Sequence, residues 1–200
     1  MTGAAPGSVA EAKRALRRRV LDTRRDLDAK ALAAGARKLR DVLLATPEIA
    51  GAGRVATYVS VGREPGTGPL IEALSAHGVD VLLPLLQADG ELDWALYEGP
   101  GGLVPVARGL LEPTGDPLGV GAVTSADAVL VPGLAVDRRG MRLGRGGGSY
   151  DRVLARVAGR AFTCVLLHDG EVLDIPVPRD PHDVPVTAAA TPSRVHRFAR

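Results

Sequence analysis

Between residues 142 and 151 the chain reads Arg142-Leu143-Gly144-Arg145-Gly146-Gly147-Gly148-Ser149-Tyr150-Asp151. Glycines this dense leave backbone N–H groups uncovered, and arginines among them neutralise anionic oxygens, so the segment suits a phosphorylated ligand. A helix predicted from near Tyr150 to Val157 adds its positive end to the same place. The spacing is not that of the two commonest nucleotide loops. A P-loop needs Lys followed by Ser or Thr after its last glycine, where Ser149 and Tyr150 stand, and a GxGxxG begun at Gly144 would need glycine at 149. A plain flexible turn is the competing explanation of the glycines, and Arg142 and Arg145 weigh against it.

Carboxylates and further cations extend the pattern. Asp151 falls in the first turn of the predicted helix, where meeting the helix dipole is its ordinary role. Together with Asp183, from the His182-Asp183 pair, it could supply the carboxylates of a Mg²⁺ that takes the rest of its oxygens from phosphate. Glu64 lies beyond a strand that ends near Ser60, the end of an open parallel sheet where ligand contacts gather. Lys13 and Arg17 stand four apart on an N-terminal helix and point the same way. Residues 11–40 carry a local charge of +7 in a chain of net charge +2, so the remainder sums to −5. That asymmetry points to an anionic ligand, although a solvated helix face explains an isolated basic helix. Cys164, mid-strand among apolar neighbours, is expected to be a packed core thiol. His168 follows the same strand, as an end cap or a site residue; His77 and His196 are expected at the surface. No Ser-His-Asp arrangement can be argued. These residues speak for nucleotide chemistry by positioning and charge neutralisation, with no covalent enzyme intermediate.

The frame that must position them is read from periodicity. Ser8-Val9-Ala10-Glu11 has capping-box spacing and predicts a helix with Val9, Ala12, Leu16 and Val20 as its buried stripe and Lys13 and Arg17 beside it. Asp28 caps a second helix, from about Ala29 to Leu44, stopped by Thr46-Pro47. A strand at Val55 to Ser60, a helix at Pro69 to Ala76 and a strand at Val79 to Leu83 give β–α–β order and a parallel pair. Leu92 to Tyr97 is a further strand, Gly99 to Gly121 a long surface excursion, Ala128 to Val131 a fully apolar strand, and Phe162 to Leu167 the last buried one. The tail, with prolines at 176, 178, 181, 185 and 192, is expected to lie along the surface. One α/β domain spanning residues 1–200 is expected, with 1–7 a disordered tail.

Composition narrows the function classes. Hydrophobic residues at 46% and charged residues at 24% give globular balance, and aromatics at 3% exclude a surface built on stacked aromatics. A single cysteine excludes an internal disulfide and a Cys-based zinc site, and favours the reducing cytoplasm. Apolar runs such as Val165 to Leu167 fall far short of the roughly 18 residues of a membrane span. Nucleic-acid binding through the basic helix is disfavoured by the acidic remainder and the scarcity of aromatics.

With these residues in view, the sequence resembles the 5-formyltetrahydrofolate cyclo-ligase, or 5,10-methenyltetrahydrofolate synthetase, family. The resemblance runs from Lys13-Arg14-Ala15-Leu16-Arg17 through Tyr58-Val59-Ser60, Glu64, Val81-Leu82-Leu83-Pro84, Leu111-Glu112-Pro113 and Val131-Pro132-Gly133 to His182-Asp183, and the run from Arg142 to Asp151 is its specific part. It implies a three-layer α/β sandwich with a mostly parallel sheet, and closure of 5-formyltetrahydrofolate to 5,10-methenyltetrahydrofolate with ATP split to ADP and phosphate and Mg²⁺ as cofactor. It further implies ATP contacts from Lys13, Arg14, Arg17, Arg142, Gly144, Arg145, Gly146, Gly147, Gly148 and Tyr150. Folate contacts fall to Val59, Glu64 and Arg145 through Gly148 to Ser149, metal ligation to Asp151 and Asp183, and catalysis to Arg145 and Lys13. Small-molecule partners only, no nucleic acid or membrane, a monomer and a cytoplasmic location complete the expectation. One departure stands out: the family usually has Tyr-Tyr-Asp where this chain has Ser149-Tyr150-Asp151. It motivates an alternative, a folate- or nucleotide-binding relative without turnover.

Overall fold

Ser8 opens a helix as its capping box predicts. Its Oγ accepts the Glu11 amide at 3.3 Å while its own amide donates to Glu11 Oε2 at 2.9 Å. This pair starts α1 (Val9–Arg25). The structure, a computed structural model, describes residues 8–181 and 183–199, so the expected tail Met1 to Gly7, and His182, lie outside the described residues. Asp28 Oδ1 accepts the Ala31 amide at 2.7 Å and starts α2 (Ala29–Leu44), a cap worth about 1 kcal/mol. Pro47 does more than stop that helix, because a proline in the first turn has no amide to satisfy, and it opens the short α3 (Pro47–Ala50).

After α3 come β1 (Arg54–Ala56), α4 (Gly68–Ala76), β2 (Asp80–Leu86), β3 (Leu92–Leu96), β4 (Leu103–Pro105), β5 (Leu111–Pro113), β6 (Ala128–Pro132), β7 (Ala135–Asp137) and β8 (Arg142–Leu143). The chain continues with α5 (Ser149–Val157), β9 (Phe162–Leu166), β10 (Val172–Leu173), β11 (Ala188–Ala190) and β12 (Val195–Arg197). Seven strands form one sheet in the order β12-β11-β9-β6-β1-β2-β3. The inner pairings are parallel and the two edge strands, β3 and β12, are antiparallel.

Period-two alternation sends successive strand residues to opposite faces. Val55, Leu83 and Leu130 pack with Leu39 and Leu43 of α2 and Leu70 and Leu74 of α4. Ala56, Leu82, Val129 and Val131 face the other way, onto Val153, Leu154 and Val157 of α5. The result is the three-layer α/β sandwich with a mostly parallel sheet. A third cluster packs Val20 of α1 against Leu134, Ala135, Met141, Leu143 and Val177, beneath a small sheet in the order β10-β7-β8.

Five expectations are corrected. The β1 strand is Arg54–Ala56, shorter than Val55 to Ser60, because Thr67 diverts the chain: its Oγ1 donates to the Tyr58 carbonyl at 2.7 Å and accepts the Ser60 amide at 2.9 Å. The excursion from Gly99 to Gly121 contains the hairpin β4–β5. The proline-rich tail does not stay on the surface, and Phe162 to Leu166 is not the last buried strand: β11, three fully buried alanines, lies between β9 and β12. On α1, Val9 and Ala12 are exposed, whereas Lys13 and Arg24 are buried, because each meets a carboxylate from the C-terminal third.

Candidate active site

The C-terminal ends of β1, β2 and β6 open onto a cavity of about 370 Å³, the position where parallel sheets place their ligands. Tyr58, Val59 and Glu64 reach it from the turn after β1, Pro84 and Leu86 from β2, and Pro132 and Gly133 from the end of β6. Arg142 and the segment Gly144 to Asp151 close it from the other side. The strand pair β7–β8 delivers that segment: Ala135 pairs with Leu143 and Val136 with Arg142, so the glycines leave the small sheet at a fixed height above the large one.

Glycine is required in this loop for two reasons. Gly148 caps α5 at φ +75°, a left-handed conformation, and no side chain bonds to this helix end, which leaves it open. At Gly144 a Cβ would lie 2.5 Å from Arg142 Nη1, so a side chain here would push the guanidinium from its place beneath the loop.

The cations expected at phosphate divide into two kinds. Arg145 is more than half exposed, and its Nε donates to Glu64 Oε1 at 3.0 Å across the cavity mouth. Glu64 is buried, and its other oxygen accepts the Val61 amide at 3.0 Å. Arg17 reaches the loop from α1: its Nε donates to the Gly144 carbonyl at 2.9 Å, and its guanidinium lies over Gly146. Arg142, by contrast, is buried and committed, with Nη2 at 2.6 Å from Asp151 Oδ1 and Nη1 donating to the Pro132 carbonyl. Lys13 is likewise engaged, with Nζ at 2.7 Å from Asp180 Oδ2 and 2.5 Å from Asp183 Oδ2. Burial pulls its pKa down, but the hydrogen bonds and charges of Asp180 and Asp183 outweigh it, and the ammonium is held above the ordinary lysine value. Arg14 is exposed, and neither it nor Lys13 nor Arg17 belongs to the cavity lining.

Asp151 lines the cavity; Asp183 lies outside the lining, where it also accepts the Asp180 amide at 2.7 Å. Among the described residues no three His, Cys, Asp or Glu side chains cluster so as to hold a metal unaided. Magnesium carried in by phosphate needs only one or two protein carboxylates, and Asp151 beside the open loop fits that requirement.

Ser149 is half-buried and lines the cavity at the start of α5. Tyr150 packs edge-on against Tyr58, with ring centroids 6.4 Å apart and planes at 71°. Burial first, and the charge of Glu64 after it, pushes both phenols above the ordinary tyrosine value. The sequence pattern did not point to Tyr58 as a site residue, nor to the apolar wall of Leu92, Leu110 and Leu111. The two leucines of the β4–β5 hairpin were hidden in a Gly/Pro-rich stretch; the signals there were their adjacency and the resemblance at Leu111-Glu112-Pro113. Cys164 is fully buried and burial pushes its thiol up, as a core thiol should be. His168 caps its strand, its Nε2 bonded to the Arg63 carbonyl at 3.0 Å.

Comparison with known proteins agrees with this fold. The family model for 5-formyltetrahydrofolate cyclo-ligase matches residues 9–192. The chain belongs to the 5-formyltetrahydrofolate cyclo-ligase family. Among its curated cyclo-ligase relatives, that of Mycolicibacterium smegmatis is 44% identical over 145 residues, covering 70% of this chain and 74% of the relative. The Escherichia coli K12 cyclo-ligase is 33% identical over 162 residues, covering 76% and 85%. Among solved structures, the 5,10-methenyltetrahydrofolate synthetase of Aquifex aeolicus superimposes with a TM-score of 0.80 at 29% identity, over 94% of this chain and 93% of that one. That of Mycoplasma pneumoniae, at 20% identity and a TM-score of 0.70, shares the fold. The cyclo-ligase sandwich therefore places its glycine loop and its apolar wall around one cavity. No helix among the described residues is long and apolar enough to cross a membrane.

Proposed function

We propose that this cyclo-ligase closes 5-formyltetrahydrofolate to 5,10-methenyltetrahydrofolate and splits ATP to ADP and phosphate in doing so, with residues 8–199 acting as one catalytic domain. The observation that carries the reading is one cavity with two unlike walls: an open glycine loop with Arg145 on one side, and Val59, Glu64 and leucines on the other. Phosphate suits the first wall and a folate ring the second.

In this reading the formyl oxygen attacks the γ-phosphorus and ADP leaves, which converts a poor leaving oxygen into a phosphate ester; N10 then adds to the formyl carbon, its proton passes to solvent, and the C–O bond breaks as phosphate departs. Such transfer is accelerated by in-line positioning and by neutralising charge on the transferred group. Arg145 supplies a planar cation at the mouth, Arg17 steadies the loop through Gly144, and the amides of Gly146 to Gly148 face the phosphates. Arg142 holds Asp151 at the loop's base. Asp151, and Asp183 once released from Lys13, would hold a Mg²⁺, which would supply charge neutralisation. Lys13 joins the phosphates only by releasing at least one of its two carboxylates. Ser149 and Glu64 contact the folate, and the enzyme works as a monomer in the cytoplasm.

The test is direct: purified protein, 5-formyltetrahydrofolate and MgATP, followed by the near-ultraviolet absorbance of the methenyl product. Growth of the band that requires all three components supports turnover. Binding of both substrates without the band would leave the non-catalytic relative that Ser149 motivates.

A further inference from the structure

Tyr58 follows β1 at the ligand end of the sheet, is only 3% exposed, and lines the cavity beside Glu64. Its backbone is fixed by Thr67 and its ring by Tyr150. The hydroxyl is the exception: among the described residues Oη has no hydrogen-bond partner. A buried hydroxyl left unpaired forfeits its hydration for nothing, so native proteins keep few of them and each calls for a reason. Because burial and then the nearby Glu64 charge hold the phenol far above its ordinary pKa, the hydroxyl keeps its proton and can donate.

We propose that Tyr58 Oη donates a hydrogen bond to the 4-oxo group of the bound pterin and thereby selects for a ring carbonyl at that position. The inference rests on the cyclo-ligase reading above. The polar edge of a pterin presents a carbonyl acceptor, then a ring N–H and an exocyclic amino group. A neutral donor next to a carboxylate complements that edge. Each oxygen of Glu64 already accepts one N–H, from Arg145 and from Val61, and keeps a second lone pair for the ligand's N–H groups. Tyr58 supplies the donor that the carboxylate cannot.

A second partner competes for the hydroxyl. Arg24 Nη1 is also buried and unpaired, and the Arg24 charge is felt at Tyr58. A water between them would make the hydroxyl structural. Tyr58→Phe separates the two. We expect an unchanged or slightly raised Tm, an unchanged KM for ATP, and a KM for 5-formyltetrahydrofolate raised about tenfold, as for one hydrogen bond lost with its acceptor left unpaired. The 4-amino analogue of the substrate, a donor where the oxo group accepts, should bind the native protein at least about tenfold more weakly than the oxo compound by calorimetry without ATP. The analogue also lacks the ring N–H that faces Glu64, so Tyr58→Phe should reduce that discrimination by about the Tyr58 share, roughly tenfold, and leave the share that Glu64 supplies. A lower Tm with both affinities unchanged assigns the hydroxyl to Arg24 and overturns the proposal; if Tm and KM both change, an undiminished discrimination overturns it and a diminished one supports it. Native protein that forms no methenyl product would remove the functional reading and this proposal together, whereas normal turnover unaffected by Tyr58→Phe removes only the proposal.

Discussion

Replacing Lys13 with Met removes a charge that the sequence pattern places beside the buried stripe of α1 and the structure places within the protein. The Lys13 side chain is 10% exposed and Asp183 11%, while Asp180 is 39% exposed. Breaking a buried pair by deleting one partner costs about 3–5 kcal/mol, because the other charge is left buried. Two features reduce that figure here. Asp183 keeps the Asp180 amide as a donor, and the Asp180 arm, more than a third exposed, is screened and adds at most about 1 kcal/mol. We therefore expect a loss of about 2–4 kcal/mol and, for a chain of this length, a Tm lower by about 5–12 °C. The sign with pH follows from the raised pKa: the contribution is fully present below the ordinary lysine value of 10.5 and fades only as pH rises through the higher folded value. The loss should thus be constant between pH 6 and 9. Scanning calorimetry of Lys13→Met and of Lys13→Met with Asp183→Asn checks the reasoning. The double variant should regain part of the stability, since the carboxylate that Lys13 leaves buried is neutralised with it, and should still show a raised KM for ATP. A single variant within 2 °C of native would refute the buried-pair argument.

Arg145→Lys should lower kcat more than it raises the KM for ATP, since a planar fork follows developing charge better than an ammonium; equal losses in steady-state kinetics would mean ground-state binding only. Ser149→Tyr should lower the KM for 5-formyltetrahydrofolate several-fold, about 0.5–1.5 kcal/mol of ring contact, and leave the KM for ATP unchanged. Impaired use of ATP instead would put position 149 on the nucleotide side. Asp137 is buried; burial raises its pKa, but the Met141, Arg139 and Val177 amides and the Arg139 guanidinium outweigh that and hold it below 3.8. Its contribution is therefore present above pH 3.8 and lost as pH falls through the lower folded value. Asp137→Asn sets an NH₂ against the Val177 amide and should cost about 2–3 kcal/mol at neutral pH while flattening the acid limb of urea-unfolding midpoints; an unchanged acid limb would clear Asp137 of that role.

What could be read in the sequence was what is local. Ser8 with Glu11, and Asp28 with Ala31, act over three residues, and both helices start where those residues stand. The short, unbroken apolar run Ala128 to Val131 marked a strand because every side chain there is buried. The glycine loop was legible because its function depends on backbone, which glycine advertises. The rest depended on distant partners. Ala188 to Ala190 carry no β-branched signal and lie among prolines, and only pairing with Cys164 to Leu166 makes them a strand. Asp180 and Glu171 drew no attention, although they decide that Lys13 and Arg24 are buried. Leu110 and Leu111 became part of the site only when their hairpin folded over β2.

The placing of β11 has a consequence in time. Translation delivers α1 first, yet Lys13 meets Asp183 across 170 residues and Arg24 meets Glu171 across 147. The strand at 188–190 must then slot in beside β9, which is made earlier, before the large sheet is complete. Contacts of such long separation form late. A chain still on the ribosome thus holds a strongly basic helix without its carboxylate partners and an unpaired β9 edge until residues 171–190 emerge, and it exposes both to whatever chaperone stands at the exit.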